Sequence, residues 1–125
     1  MFGWFKKKAS RPVGPDFSAI DTREKAEEMF HRGKLEKLFL MPLEFGGQDN
    51  NLNYLFVPLG VASIKARMDI NVIAPLIEAG KITKYTATPE YQGKSHIPIS
   101  IKITASEPGD FTTTISIWGD ALGRD

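Results

Sequence analysis

The order of periodic segments predicts an α+β fold, α-β-β-α-β-β-β, with a five-stranded, mainly antiparallel sheet packed on a long central helix. Three observations carry this expectation. Residues 60–80 (GVASIKARMDINVIAPLIEAG) form the longest run of helical spacing. Residues 96–106 (HIPISIKITAS) alternate with period two. Two short apolar runs, over about 36–41 and 54–57, lie between the first helical segment and the long one.

The long helix is the richest of these segments in apolar side chains. Val61, Ile64, Met68, Val72 and Leu76 form one apolar stripe, and Ala66, Ile70, Ile73 and Ile77 form a second. Ser63, Arg67, Asn71 and Glu78 lie between them. A helix resting on one sheet needs a single stripe, so two stripes predict cover from two directions, by the first helix or by a second copy of the chain. Pro75 lacks a backbone donor and crowds the carbonyl of Asn71, which predicts a kink there. Gly80 supplies the left-handed ending.

Upstream, Asp21 and Glu24 have capping-box spacing, and the segment TREKAEEMFHR reads as a helix ending at Gly33, with Ala26, Met29 and Phe30 on its buried face. EFGGQDNNLN is a Gly- and Asx-rich loop. Downstream of the long helix, residues 81–88, 96–106 and 111–118 read as strands, and GDALGRD as a polar tail. This layout resembles that of profilin-like and roadblock-like folds, a likeness of architecture that implies no activity.

The last hairpin has a register that burial should enforce. A two-residue loop at Pro108-Gly109 mixes apolar and polar faces. A three-residue loop, Pro108-Gly109-Asp110, places Ile103 opposite Ile115, Ile101 opposite Ile117 and Thr104 opposite Thr114. Ser100, Lys102, Thr104, Thr112, Thr114 and Ser116 then share one polar face, which suits a flat docking surface.

The 125 residues divide into a basic and aromatic tail with a Pro/Gly linker over 1–15, and one α+β domain over 16–125. Phe2, Trp4 and Phe5 followed by Lys6, Lys7 and Lys8 form the candidate membrane contact, with aromatics at headgroup level and lysines on anionic lipid. The plainer reading is a tail whose aromatics touch the body. Net charge is +1, but the tail carries four of the sixteen Lys and Arg and none of the fifteen acids. The body is therefore acidic, a poor match to a phosphate backbone, and nucleic acid is not an expected partner. Cysteine is absent. That excludes disulfides and thiolate chemistry and suits a cytoplasmic location, peripheral to a membrane if the tail binds lipid.

No catalytic set assembles in the sequence. Asp49, Asn51 and Asn53 have the D-x-N-x-N spacing of a calcium loop, but Tyr54 and Gly60 stand where glycine and a bidentate glutamate belong, so turn formation accounts better for the cluster. His31 and His96 have no ligand-spaced companions. No metal, cofactor or catalytic residue is expected. Asp49, Asn50, Asn51, Asn53, Tyr91, His96 and Lys102 remain as candidate contacts for a ligand or partner. The leading functional expectation is a non-catalytic protein acting through a protein–protein interface. The alternatives are a peripheral membrane adaptor and a small-ligand binder or enzyme with a pocket near residues 44–53.

Overall fold

The computed structural model describes residues 15–123. The order of elements is α1 (Arg23–His31), β1 (Leu35–Phe39), a 3₁₀ turn (Leu43–Phe45), β2 (Tyr54–Pro58), the helix α2 over 61–78, β3 (Ile82–Glu90), β4 (Ser100–Pro108), β5 (Asp110–Ser116) and a final 3₁₀ turn (Gly119–Gly123). The α+β class and the sequence of helices and strands follow the periodicities. The single five-stranded sheet does not form. Instead β1 and β2 make a two-stranded antiparallel sheet, and β3-β4-β5 a three-stranded antiparallel one. The layout shared with profilin-like and roadblock-like folds is therefore not this one. Pro89, paired with Ile101 on β3, has no N–H to offer a further strand, and proline is confined to sheet edges for that reason.

The long helix is not a central element either. The first half of α2 packs on β1 and β2 and its last turn on β3, so it straddles the seam between the two sheets. It cannot be wrapped by one sheet because there are two. Only Lys65, Asp69 and Ile73 of α2 are buried, while Ile64, Ile70, Val72 and Ile77 are exposed. The two expected apolar stripes are thus only partly covered: Ile73 of the second is buried, and Val61, Met68 and Leu76 of the first are half-buried against the core. The most buried face also takes in Lys65 and Asp69 and is partly polar. Pro75 is accommodated upstream of the expected kink, by a π turn over Asp69–Ile73 in which the Ala74 N–H bonds to the Asp69 carbonyl. Such an insertion re-phases the helix by one residue without breaking it.

The start of α1 is capped by Thr22 rather than Asp21. The Thr22 hydroxyl accepts from the Lys25 N–H at 3.1 Å, and Asp21 pairs with the Lys25 ammonium at 2.7 Å. Helix α2 begins at Gly60, whose left-handed backbone (φ 98°) has no capping side chain of its own. Glu36 from β1 replaces it, accepting from the N–H groups of Gly60 and Ala62 at 2.9 and 3.0 Å. A carboxylate there also suits the positive end of the helix dipole.

The principal core lies on one face of the three-stranded sheet. Ile99, Ile101, Ile103, Ala105, Ile115 and Ile117 are buried there, with Trp118 beside them. The Trp118 indole donates to the Ile97 carbonyl at 2.9 Å and meets Phe17 edge-on at 5.8 Å. The expected strand from His96 starts only at Ser100, and both Pro98 and Ser100 are buried rather than facing solvent. The polar tail contributes Ala121 to the core.

The last hairpin keeps its faces but not its expected register. Ser106 pairs with Asp110, Ile101 with Ile115, Ile103 with Thr113, Lys102 with Thr114 and Thr104 with Thr112. The loop does span three residues, but they are Glu107, Pro108 and Gly109. The register differs by two residues from expectation, and a slip of two leaves every side chain on its own face. Strand β3 explains the choice. The Gly109 N–H bonds to the Lys81 carbonyl at 2.7 Å, and a side chain at Gly109 would collide with that oxygen. Thr83 donates to the Glu107 carbonyl at 2.9 Å and Lys84 pairs with the Glu107 carboxylate at 3.1 Å. The turn is moulded by a strand that local turn chemistry does not see.

Candidate functional site

Beneath α2 lies a three-member polar cluster. The Lys65 ammonium donates to the Asp69 carboxylate at 2.7 Å and to the Tyr85 hydroxyl at 2.7 Å, and that hydroxyl donates to the other Asp69 oxygen at 2.7 Å. Lys65 and Asp69 come from successive turns of α2, and Tyr85 reaches them from β3. Phe45 meets the Tyr85 ring edge-on at 5.5 Å. The Lys65 and Asp69 side chains are 3% and 4% exposed, and no buried polar side-chain atom among the described residues lacks a hydrogen-bond partner.

Burial pushes the Lys65 ammonium below the usual lysine range, against the opposing hydrogen bond and charge of Asp69. Burial also pushes the Tyr85 phenol well above its usual range, with the hydrogen bond and charge of Asp69 acting in the same direction. Perturbed groups of this kind occur at catalytic sites. A general acid or base must nonetheless come within hydrogen-bond reach of its substrate. Almost fully buried and bonded to each other and to Tyr85, Lys65 and Asp69 form a clamp that joins α2 to the second sheet, with both at the wall of the smaller of two clefts.

Two clefts flank this clamp. The larger, of about 580 Å³, is bounded by Met41, Phe45, Ile70, Ile77, Glu78 and Tyr85 among others. The smaller, of about 380 Å³, runs along Phe39, Leu43, Ala62, Ala66 and Ile70. Glu44 and Ile70 line both, so the clefts meet where the 3₁₀ turn approaches α2. Leu43, Ile70 and Ile77 are 45%, 45% and 40% exposed. Glu44 and Glu78 form no ion pair among the described residues, whereas Lys84 is engaged by Glu107 and Lys37 by Asp49.

The residues singled out from sequence do not converge here. Asn51, Tyr91 and His96 do come together, in a third cleft of about 230 Å³ that Arg23 and Pro89 also line. Asp49 stands on the loop, 3.5 Å from the Lys37 ammonium. Asn50 accepts from the Leu52 N–H at 3.0 Å, a local Asx turn. Asn53 ties the loop down: its carbonyl oxygen accepts from the Met41 N–H at 2.8 Å, and its amide donates to the Met41 and Gln48 carbonyls at 2.9 Å each. Lys102 is exposed on the polar face of the second sheet, beside Thr88 and Thr114. Phe2, Trp4, Phe5, Lys6, Lys7 and Lys8 lie outside the described residues.

Lys65, Asp69 and Tyr85 escape a reading of apolar periodicity because two of them occupy core positions with charged side chains. The available signal is their spacing: Lys65, Asp69 and Ile73 recur every four residues along one helix face. Among the described residues no group of three or more His, Asp or Glu is arranged to hold a metal ion, and no helix is long and apolar enough to cross a membrane. No family model, curated protein or solved structure matches this chain.

Proposed function

We infer that the protein is a non-catalytic binding protein that receives an apolar, basic segment of a partner protein in the paired clefts along α2. The observation that carries this reading is the combination of apolar walls and an acidic rim, Glu44 and Glu78, that forms no ion pair among the described residues. Leu43, Ile70 and Ile77 are large side chains left exposed around a continuous concave surface. Complete burial of each contributes about 1.5–3 kcal/mol, which suits them as anchors. Glu44 and Glu78 at the same rim favour lysine or arginine on the incoming segment. Tyr85 lines the larger cleft and Lys65 and Asp69 the smaller, but their ammonium, carboxylate and hydroxyl are bonded to one another, and that mutual satisfaction supports binding over catalysis.

The test is a chemical-shift titration of the isotope-labelled protein with two synthetic amphipathic peptides. One carries leucine and phenylalanine along one face and lysine along the other, and its counterpart has glutamate in place of lysine. The lysine peptide should shift Phe45, Ile70, Ile77 and Glu78 saturably, and Ile70→Asp should abolish the effect. Equal response to both peptides, or shifts elsewhere, would overturn the reading.

A further inference from the structure

Among the described residues, the second sheet ends on an edge strand with none of the usual protection. β5 pairs with β4 and with no other strand among the described residues. Natural edges are commonly blunted by lysine, proline, a bulge or a covering element. β3, the opposite edge, carries Lys84 and Pro89 and has α2 against it. β5 reads Asp110-Phe111-Thr112-Thr113-Thr114-Ile115-Ser116, with no proline and a single charge at its first residue.

The ladder fixes which backbone groups of β5 point outward. The Glu107 N–H bonds to the Gly109 carbonyl and the Ile117 N–H to the Ile99 carbonyl, so the odd-numbered residues of β5 are the hydrogen-bonded partners of β4. By alternation, the N–H and C=O groups of Asp110, Thr112, Thr114 and Ser116 face away from the sheet. None of them has a backbone partner in another element among the described residues.

The geometry points to a second copy of this chain as the partner of that edge, with two β5 strands pairing antiparallel about a two-fold axis at Thr113 to form a continuous six-stranded sheet. In this register Thr112 faces Thr114 of the other copy, and Asp110 faces Ser116. All four outward-facing residues then become hydrogen-bonded pairs, giving about eight backbone bonds. On the polar face the pairing sets threonine against threonine and a carboxylate against a hydroxyl, both favourable cross-strand combinations. On the apolar face Phe111, which is partly exposed in one copy, comes opposite Ile115 of the other. No like charges meet. Centring the axis on Thr112 takes Phe111 away from Ile115, and centring it on Thr114 runs Phe111 past the end of the strand. The sequence of β5 is thus self-complementary in the one register that uses its full length. An isologous interface of a two-fold dimer requires that property.

The absence of cysteine makes the test clean. Unmodified protein at micromolar concentration should sediment at twice the 13.9 kDa chain mass. Thr113→Cys should cross-link to a covalent dimer under mild oxidation, because residues facing each other at a non-hydrogen-bonded position have Cα atoms about 4.5 Å apart, within disulfide range. Thr112→Cys and Thr114→Cys should each stay uncross-linked alone and cross-link when mixed. Thr114→Pro removes one outward donor at an edge position that tolerates proline. It should return the protein to monomer mass with an unchanged circular dichroism spectrum. A monomer in the unmodified protein, or a dimer in which Thr113→Cys fails to cross-link, overturns the proposal.

Discussion

Lys65 Nζ lies 2.7 Å from Tyr85 Oη, and both reach the same carboxylate, that of Asp69. A cation and a phenol twenty residues apart in sequence therefore share one buried anion. The helix is held to the second sheet through polar bonds where its periodicity promised apolar packing.

Breaking that contact from one side leaves a buried charge without compensation. Lys65→Met should lower the unfolding free energy by about 3–5 kcal/mol, because the Asp69 carboxylate stays buried without its cation. The double variant Lys65→Met with Asp69→Leu should recover part of the loss. Urea denaturation of the three proteins measures both. A Lys65→Met variant as stable as the parent would show that the cluster is open to water.

The same cluster predicts how stability changes in alkali. Tyr85 holds its proton more tightly folded than unfolded. The unfolded chain releases that proton near pH 10, where the folded one keeps it, so stability is full below about pH 10 and falls above it. Lys65 acts oppositely. Its folded pKa is pushed down, so stability rises with pH between that value and about 10.4, the unfolded lysine value. Above that range the tyrosine effect stands alone. Tyr85→Phe should make the alkaline decline shallower by up to about 1.4 kcal/mol per pH unit. Tyr91, also pushed up by burial, continues to contribute in the variant. Parallel alkaline slopes in the two proteins would contradict the buried phenol.

Two neighbouring isoleucines on α2 should behave in opposite ways. Ile73 is fully buried and Ile70 is 45% exposed. Ile73→Asp should cost about 4 kcal/mol or more, and Ile70→Asp within about 0.5 kcal/mol. Thermal melting distinguishes them. If both substitutions were destabilising, the second stripe would be covered in solution along its whole length.

By itself the sequence determined what local physics controls. The alternation of Ile101, Ile103 and Ala105 with Lys102, Thr104 and Ser106 assigned each side chain of β4 to its face, and a slip of two residues in the hairpin did not alter that. The helix over 61–78, its left-handed ending at Gly80, and the Asx cluster as a turn-forming loop were equally legible, because caps, periodicity and turn chemistry act over a few residues. Tertiary structure decided everything that depends on distant partners. Lys65 and Asp69 are inside and Ile70 and Ile77 outside because Tyr85 and the 3₁₀ turn at Leu43–Phe45 arrive from other elements and fix which face of α2 is covered. β3 sets the final turn by holding Gly109 and Glu107, and Pro89 offers no N–H at that edge of the sheet. A period records how side chains alternate along one element. It carries no information about which neighbour approaches, and burial, charge pairing and the clefts of this protein all follow from that approach.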